Sequence, residues 1–472
     1  MRWHETVDIG IIGAGGCGLV AAHAAAQDGV SITVWDKAAT AGGNTALSAG
    51  LVPAAGSRLQ REAGIFETGE EFARDVLARN GGRSDPVLTR RLCESSAALV
   101  EWLIDARGVH FELVKQVHDP GHSRARLHAP PSRRGQTVID NLLRSLERRR
   151  ITLRLSAPVL QLWTDDTGAV IGVQVKRPRK TPTNVRCSKL ILATDGFAAN
   201  PELLAQHCPD TKGLSYAGAT GCDGAALVWA NDVGAATRDL GAFHAYASVA
   251  TGSNLAIPWT LIGGGAVLVN QRGERFADEA QGPAALVAAL LAQPGRVAYE
   301  ILNARILNAG IADDPHFAAD VVPRAIRRAD DVAGLAKQFQ IDPETLMATV
   351  VACNQARSES PGGHGQSLAA PFYGIRVTPA LLETQGGLAT DTSARVLRAD
   401  GSIIPNLYAG GGAVAGLSGP GGDGYLTGNG LLCAFGWGRI AGEQAAHEVL
   451  AARASASHET PPEPPAGEPA SE

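Results

Sequence analysis

The chain has 472 residues, a length that accommodates two or three domains of ordinary size. Apolar residues make up 45% and charged residues 19% of the sequence, values typical of globular proteins, so a wholly disordered chain is excluded. The formal net charge is −5, and a mildly acidic chain is a poor partner for nucleic acid. Glycine is the outlier: its 56 residues are about 12% of the chain against a usual ~7%, which indicates tight turns and close backbone approach.

The cysteine pattern bears on metal binding and on cellular location. Seven cysteines lie scattered along the chain without a C-x-x-C pair, so we predict neither a disulfide framework nor a metal site. Unpaired cysteines are typical of a reducing compartment. The sequence has no run of about 18 apolar residues and begins a strand at once without a signal peptide. We therefore expect a cytoplasmic protein without a membrane span.

The N-terminal segment predicts a strand–turn–helix–strand unit. Short apolar runs at residues 7–12 and 30–35 are typical of buried parallel strands. An alanine-rich segment at 19–27 predicts the helix between them, and Asp28-Gly29 ends that helix. A glycine-rich turn joins the first strand to the helix, and an acidic residue follows the second strand.

The turn has the pattern G-x-G-x-x-G at Gly13, Gly15 and Gly18, and the acid is Asp36. In this pattern the first glycine permits a tight turn, the second lets the backbone approach a pyrophosphate, and the third lets helix and strand pack closely. The helix N-terminus favours the phosphate, and the acid accepts hydrogen bonds from ribose hydroxyls. Because the pattern stands between two predicted strands, it predicts a dinucleotide-binding site.

Two further segments favour FAD over NAD as the dinucleotide. Residues 41–50 form a second loop of small and hydroxyl-bearing residues shortly after the second strand. Such a loop suits a long cofactor that lies across the domain, with backbone N–H groups and hydroxyls near its flavin end. The segment 193–196 follows another predicted buried strand and suits the same cofactor. An NAD domain requires neither segment.

The rest of the chain predicts that a second domain interrupts the FAD-binding domain. Residues 69–107 and 135–150 are expected to be helical, and the strand–helix alternation stops over 245–375. The alternation then returns and ends in a helix over 428–450. The predicted domains are an FAD-binding domain at 1–244 and 376–450, a capping domain at 245–375 and a disordered tail at 451–472.

These motifs together resemble the flavoproteins of the fumarate reductase/succinate dehydrogenase group, which includes urocanate reductases and 3-ketosteroid dehydrogenases. The resemblance rests on residues 13–18, 42–45, 191–197, 218–224, 269–279, 386–387, 428–430 and 438–442, in family order. It implies an α/β fold, in which a Rossmann-like FAD-binding domain of the glutathione-reductase type has an inserted α+β capping domain. It also implies hydride exchange between the flavin and a carbon beside an activating carbonyl or carboxyl group.

The resemblance also implies how FAD binds. We expect non-covalent binding, because residues 43–48 include no histidine of the kind that attaches FAD in the membrane-bound enzymes. The predicted cofactor-binding residues are Gly13, Ala14, Gly15, Gly16, Cys17, Gly18, Asp36, Lys37, Gly42, Gly43, Asn44, Thr45, Ser48, Ala49, Gly50, Val159, Ala193, Thr194, Asp195, Gly196, Gly411, Gly412, Asn429, Leu431 and Leu432.

The substrate side departs from the fumarate reductase pattern. Fumarate reductases hold a dicarboxylate with arginine and histidine, but those motif positions are Tyr425 and Glu383 here. An arginine fork on a carboxylate is a charge-assisted interaction that neither residue replaces. Tyr425 followed by Gly428 instead resembles the 3-ketosteroid dehydrogenase arrangement, in which a tyrosine hydroxyl and a glycine N–H polarise a ketone. Glu383 and Tyr299 are further substrate-binding candidates.

The sequence does not decide which residue is the base that removes the α-hydrogen. Tyr246 is the first candidate, and Tyr299 and Arg305 are others. Arg305 is the nearest counterpart of the proton-shuttling arginine of the family, about two residues out of register. His244 matches the histidine at the start of the capping domain, and Glu279 is a site candidate because of its place in a family motif.

Three functions are compatible with these residues. The first is an FAD-dependent dehydrogenase that introduces a C=C bond beside a ketone in an alicyclic or steroid-like substrate. The second is a fumarate-reductase-type enzyme that saturates an unsaturated acid, and the third is a flavin-binding protein without catalysis. All three leave the redox partner and the oligomeric state undetermined. The arginine pair at 133–134 is interpreted as part of a loop, and the arginine triplet at 148–150 as part of a helix end. Neither is interpreted as a nucleic-acid site.

Overall fold

The structure is a computed structural model that describes residues 2–115, 120–146, 151–178, 180–252, 255–359 and 367–458. Its strands are β1 (Glu5–Ile12), β2 (Ile32–Trp35), β3 (Val52–Pro53), β4 (Glu112–Leu113), β5 (Leu127–Ala129), β6 (Ile151–Arg154), β7 (Val159–Thr164), β8 (Val170–Val175), β9 (Thr183–Leu192), β10 (Ser215–Tyr216), β11 (Thr237–Arg238), β12 (Phe243–Ala250), β13 (Val267–Val269), β14 (Ala298–Asn303), β15 (Arg327–Ala329), β16 (Phe372–Thr384), β17 (Gly387–Leu388), β18 (Arg395–Leu397) and β19 (Ile403–Ala409). Its helices are α1 (Gly16–Ala25), α2 (Gly43–Leu47), α3 (Arg58–Glu62), α4 (Gly69–Arg79), α5 (Pro86–Arg107), α6 (Gly135–Leu146), α7 (Pro201–His207), α8 (Ala225–Val233), α9 (Thr260–Gly263), α10 (Pro283–Leu291), α11 (Ala304–Asp313), α12 (Val322–Ala325), α13 (Val332–Phe339), α14 (Pro343–Glu359) and α15 (Asn429–His458).

The larger sheet has the mostly parallel order expected of a dinucleotide-binding domain. Strand β1 pairs in parallel with β2 and with β9, while β6 extends the sheet beyond β2 and β19 extends it beyond β9. Strands β18 and β8 add antiparallel edges, and β7 pairs with β8. Ile9 and Ile11 of β1 are completely buried because helices and neighbouring strands cover this central strand. The carboxyl ends of β1, β9 and β19 therefore meet at one edge of the sheet.

Helices α1 and α15 pack on this sheet with their backbones in close contact. A Cβ at Gly442 would overlap the carbonyl oxygen of Ala21, and one at Gly438 would lie 2.5 Å from the oxygen of Cys17. Small residues at these crossings therefore let the two helices approach closely. The alanine-rich composition of α1 follows from the same contact, since nearly all of its residues are buried.

A second sheet of six strands forms the inserted domain. Its long strand β16 pairs with β10 in parallel and with β12, β14 and β15 in antiparallel order, and β13 pairs with β14. This sheet has its own hydrophobic core, separate from that of the larger sheet, and its members come largely from residues 243–381. The predicted combination of a parallel nucleotide-binding sheet with an inserted α+β domain is confirmed.

Several predicted elements have different limits in the structure. The helical region predicted at 69–107 is two helices, because Asp85 caps a new helix that begins at Pro86. The inserted sheet extends beyond the predicted 245–375 at both ends, since β10 begins at Ser215 and β16 ends at Thr384. Helix α15 continues eight residues past the predicted end at 450, into the segment predicted to be disordered. Residues 459–472 and 148–150 lie outside the described residues.

Candidate active site

The glycine-rich turn after β1 is built by two close backbone contacts. Gly13 has a left-handed backbone with φ of +109°, and a Cβ there would overlap the carbonyl oxygen of Ala193 at the end of β9. A Cβ at Gly18 would overlap the carbonyl oxygen of Gly13. Both positions therefore require glycine for reasons internal to the protein. These contacts also bring the predicted segments 13–18 and 193–196 together.

Gly15 is different, because the space beside it is open. The nearest atom to a Cβ built there is the carbonyl oxygen of Gly42, at 3.7 Å. Gly15 lies at the N-terminal end of α1, where unpaired backbone N–H groups favour an anion. Asp36, at the end of β2, accepts hydrogen bonds from the amides of Ala14 (2.6 Å) and Ala38 (2.7 Å). The turn therefore offers an open approach for a pyrophosphate beside a carboxylate.

The second predicted loop folds against the first. Gly42 donates its amide to the carbonyl of Ala14, and a Cβ at Gly16 would lie 2.5 Å from the Thr45 hydroxyl. The Ser48 hydroxyl donates to the Thr45 carbonyl and accepts from the amide of Gly50, which orders the turn through Ala49. The predicted cofactor residues of this loop therefore share one wall with those of the glycine-rich turn.

Asn44 connects this loop to the segment 218–224. Its Oδ1 accepts from the amide of Ala219 at 2.6 Å, and Gly43 precedes it at the start of α2. Two other predicted cofactor residues have different partners. Lys37 forms an ion pair with Asp223 at 2.7 Å, and Val159 opens β7, where it pairs with Val175. Their roles toward the cofactor stay predictions.

The loops after β9 and β19 lie at the same carboxyl edge of the larger sheet as the glycine-rich turn. Thr194 and Asp195 follow β9, and Asp195 has an uncommon left-handed backbone with φ of +64°. Its carboxylate accepts from the amide of Gly196 at 2.8 Å and lies where a Cβ of Gly412 would be. Burial raises the pKa of the Asp195 carboxyl, and the nearby Glu383 raises it further. Gly411 packs beside Cys17, so the loops meet around the start of α1.

The start of α15 provides the clearest indication of a missing polar partner. Asn429 is completely buried, yet neither Oδ1 nor Nδ2 of its side chain has a hydrogen-bond partner among the described residues. Buried amides of this kind are rarely left unsatisfied. Leu431 and Leu432 follow on the same helix and are buried. A cofactor with hydrogen-bonding groups fits this position, as the sequence predicts for FAD.

Tyr425 lies just before this helix, with its hydroxyl held by backbone amides. The amide of Gly430 donates to the hydroxyl oxygen at 3.4 Å. Burial raises the pKa of the hydroxyl well above its ordinary value and Glu383 adds to the rise, whereas the amides of Gly430 and Gly428 act in the opposite direction. The phenol therefore keeps its proton, while the Gly430 amide donates to its oxygen.

Two residues of the inserted sheet meet this tyrosine. His244 and Glu383 are register partners on the antiparallel strands β12 and β16, so they share a face of the sheet. The ring of His244 stacks on that of Tyr425, and its Nδ1 lies 3.6 Å from a Glu383 oxygen. A Cβ at Gly430 would lie 2.6 Å from the Glu383 carboxylate. The structure therefore joins four predicted site residues, Tyr425, His244, Glu383 and Gly428, in one cluster.

Two predicted tyrosines have their contacts in the inserted domain. The hydroxyl of Tyr246 donates to the carbonyl of Ile257 at 2.8 Å, and its role as base stays a prediction. Tyr299 is buried on β14, and its ring contacts Phe339 of α13 with centroids 4.8 Å apart. Tyr299 therefore packs in the core of the inserted domain, and its role toward substrate stays a prediction.

Arg305 and Glu279 are also engaged within the inserted domain. Arg305 is exposed and donates to the carbonyl of Gly264 after α9, and its role as a proton shuttle stays a prediction. Glu279 accepts from the amide of Leu268 at 2.9 Å and pairs with Arg275. These bonds connect β13 to the turn after it and give Glu279 a structural role, while its catalytic role stays a prediction.

Sequence analysis missed two residues that contact the loop of Tyr425. Arg79 donates to the carbonyl of Tyr425, and His122 bonds to the carbonyl of Thr427, each at 3.1 Å. No motif marks either residue, because the contacts join segments more than 300 positions apart in the chain. Among the described residues, no cluster of His, Cys, Asp and Glu side chains is arranged to bind a metal, and no helix is long and apolar enough to cross a membrane.

Comparisons with known proteins agree with this site. Residues 8–430 match the family model described as FAD binding domain. A fumarate reductase (cytochrome) from Shewanella frigidimarina is 31% identical over 450 residues, which cover 94% of this chain and 77% of that protein. The open conformation of a flavocytochrome c3 fumarate reductase has a TM-score of 0.82, with 28% identity over 95% of this chain and 79% of that one. A 3-ketosteroid-Δ4-(5α)-dehydrogenase from Rhodococcus jostii RHA1 shares the fold, with a TM-score of 0.72 and 24% identity over 94% and 98% of the two chains. The chain therefore belongs to the FAD binding domain family and is an FAD-dependent oxidoreductase.

Proposed function

We propose that this enzyme dehydrogenates a saturated carbon pair beside a ketone, with a neutral small molecule as substrate. The observation that supports it is the cluster of Tyr425, His244 and Glu383 at the start of α15. FAD, when bound, accepts the hydride that leaves the β-carbon. The protein must then polarise the ketone oxygen and remove a proton from the α-carbon, so that the C=C bond forms.

Tyr425 is suited to polarise the ketone. Its hydroxyl oxygen accepts from the amide of Gly430, which leaves the hydroxyl proton free to donate to a ligand. The raised pKa keeps that proton in place, so the residue acts as a donor rather than a base. Donors aimed at a developing enolate oxygen stabilise the transition state by about 3 kcal/mol each. The Gly428 amide, three residues after Tyr425, stays the predicted second donor to the ketone.

His244 is the base that this geometry favours. Its Nδ1 faces the Glu383 carboxylate at 3.6 Å, so Glu383 orients the ring and stabilises the positive charge that follows proton uptake. The other ring nitrogen, Nε2, is then the atom we assign to the α-proton. The assignment of His244 as the base rests on the stacking that holds its ring against Tyr425.

Reduction of an unsaturated acid is the second candidate function, and the 31% identity to a fumarate reductase favours it. The charges of the cluster argue against it. A dicarboxylate is best held by arginine, and this cluster offers a phenol, an imidazole and a carboxylate instead. The Glu383 carboxylate would repel such a substrate at short range. A third candidate, a flavin-binding protein without catalysis, has no observation in its favour.

We also propose that the protein is cytoplasmic and that it requires a redox partner. All seven cysteines are buried and unpaired, which supports the reducing cytoplasm expected from the sequence. A dehydrogenase of this kind needs a separate electron acceptor, because each turnover leaves two electrons on the enzyme.

Anaerobic stopped-flow spectroscopy of the purified enzyme tests the proposed reaction. Saturated cyclic ketones, including 3-ketosteroids, are mixed with the oxidised enzyme. Unsaturated acids, including fumarate and urocanate, are mixed with enzyme first reduced by dithionite. We expect a ketone to remove the oxidised flavin absorption, and the acids to leave the reduced enzyme unchanged. Reoxidation by an acid would instead establish the second function, and no response to either panel would favour the non-catalytic one.

A further inference from the structure

The loop that carries Tyr425 is held by side chains from another part of the FAD-binding domain. His122, which lies shortly before β5, bonds through Nε2 to the carbonyl of Thr427 at 3.1 Å. Arg79, the last residue of α4, donates to the carbonyl of Tyr425. A Cβ at Gly121 would lie 2.8 Å from Leu426, so the segment around His122 packs directly on this loop.

The hydrogen bonds of His122 determine its tautomer. Arg126 is completely buried, and its Nη1 lies 3.0 Å from His122 Nδ1. An arginine can only donate, so Nδ1 must accept and the ring proton must be on Nε2. Nε2 then donates to the Thr427 carbonyl. Burial and the charge of Arg126 lower the pKa of His122 to about 4, so the ring is neutral near pH 7.

A network of acids keeps Arg126 in this position. Its guanidinium bonds to the buried Glu67 and to Asp75, besides His122. Both carboxylates balance the buried positive charge, which makes the fork of donors rigid. The orientation of His122 is therefore set by a group that is itself fixed at several points.

The bond to Thr427 bears on Tyr425 because of peptide geometry. The carbonyl of Thr427 and the amide of Gly428 belong to one planar unit, so fixing the oxygen fixes the direction of the N–H. The 427–428 peptide also lies between Tyr425 and Gly430, whose amide donates to the Tyr425 hydroxyl at 3.4 Å. Gly428 has a left-handed backbone with φ of +88°, and a peptide beside a glycine can rotate to other orientations at small cost.

We propose that His122 is a positioning residue, which holds the 427–428 peptide so that the loop keeps the hydroxyl of Tyr425 on the amide of Gly430. This assignment rests on the proposed function, in which that hydroxyl polarises the ketone. His122 acts through the main chain and has no contact with substrate in this scheme. Loss of its bond releases the peptide and leaves the hydroxyl misdirected.

Two substitutions at one position separate positioning from folding. His122→Gln can still accept from Arg126 and donate to Thr427, whereas His122→Leu can do neither. We expect His122→Leu to lower kcat for ketone dehydrogenation by about tenfold or more with a small change in KM, and His122→Gln to stay within about threefold of wild type. Equal losses in the two variants would overturn the assignment.

His128 offers a matched control. It is a second buried histidine whose pKa burial lowers to about 4, and its described bonds go to Ser57 and to the Arg126 carbonyl. We expect His128→Gln to lower thermal stability while kcat stays within about threefold of wild type. A double-mutant cycle adds a specific test, because His122→Leu should have little further effect in a Tyr425→Phe background. Full additivity would contradict action through Tyr425.

Hydrogen exchange of the FAD-loaded enzyme tests the positioning without any substrate. We expect His122→Leu to raise the exchange rates of the Gly428 and Gly430 amides by about tenfold or more, and His122→Gln to restore them. Unchanged exchange in His122→Leu would overturn the proposal even if ketones react. Conversely, a wild-type enzyme whose flavin is reduced by no ketone refutes the proposed function, and the exchange data still decide whether His122 holds the loop.

Discussion

The ring of His244 stacks on the ring of Tyr425, with centroids 3.6 Å apart and planes inclined by 9°. His244 belongs to β12 of the inserted domain, whereas Tyr425 precedes α15 of the FAD-binding domain. The contact therefore joins the two domains at the point where the substrate is proposed to react. Any movement of the inserted domain that separates these rings also removes Glu383 from the site, because Glu383 is the register partner of His244. The contact between the two domains thus places His244 and Glu383 beside Tyr425 together.

Replacement of Tyr425 by phenylalanine tests the polarising hydroxyl. The ring and its stacking on His244 are retained, so we expect FAD content and thermal stability to remain near those of wild type. The rate of flavin reduction by a ketone should fall by about 100- to 1000-fold, the usual cost of one lost donor to a developing oxyanion. Stopped-flow reduction measures this rate directly. A loss below about threefold would contradict the assigned role.

Glu383→Gln tests whether charge excludes acidic substrates. The substitution preserves the shape of the side chain and removes the negative charge beside Tyr425 and His244. We expect the affinity for fumarate to rise by about tenfold, because a like-charge contact is lost, while affinity for a neutral ketone stays within about threefold. Flavin difference spectra during titration report both values. Equal changes in the affinities for fumarate and for the ketone would show that the charge of Glu383 does not set the preference for a neutral substrate.

The parts of the molecule that could be predicted from sequence are those governed by local geometry. The spacing of Gly13, Gly15 and Gly18 implies one turn conformation and one helix start, and the structure confirms both. The general fold could also be predicted, because a chain of alternating buried strands and helices can form only a few sheet topologies. The split at Pro86 was missed because periodicity continues across it, although Asp85 before a proline is itself a helix-start signal.

Contacts made by strand register could not be predicted in this way. Nothing local to Tyr246 shows that its hydroxyl reaches Ile257, and the register shifts on both sides of it change which face each residue occupies. The neighbouring His244 is two positions away and reaches the cluster instead. Likewise, the bond of His122 to Thr427 spans 305 positions and depends on how two domain segments pack.

A pair of glycine substitutions separates cofactor binding from folding. A Cβ at Gly18 would overlap the Gly13 carbonyl, whereas a Cβ at Gly15 meets nothing closer than 3.7 Å. We expect Gly18→Ala to lower the melting temperature of the FAD-free protein, and Gly15→Ala to leave it nearly unchanged. Because the open face of Gly15 is the expected path of the pyrophosphate, Gly15→Ala should weaken FAD affinity by about tenfold or more. Flavin fluorescence titration measures that affinity, and an unchanged value would place the pyrophosphate elsewhere.

Buried titratable groups predict how stability changes with pH. Burial lowers the pKa of His128 from 6.5 to about 4, so between these values the unfolded chain binds a proton that the folded one does not. Stability is therefore full above about pH 6.5 and falls as pH decreases toward 4, by about 3 kcal/mol for this residue. We expect the stability difference between wild type and His128→Gln, measured by urea unfolding at fixed excess FAD, to shrink by about that amount between about pH 7 and about pH 4.

Glu300 provides a control with the opposite sign. It is completely buried on β14, and burial raises its pKa from 4.5 to about 7, although a hydrogen bond from Ser248 opposes the rise. The folded chain then holds a proton that the unfolded one releases, so this residue costs stability as pH rises from about 4.5 to 7. We expect Glu300→Gln to gain stability relative to wild type over this range, by about 3 kcal/mol. The two variants should therefore diverge from wild type in opposite directions with pH, and parallel curves would show that neither group is held in the charge state that its burial requires.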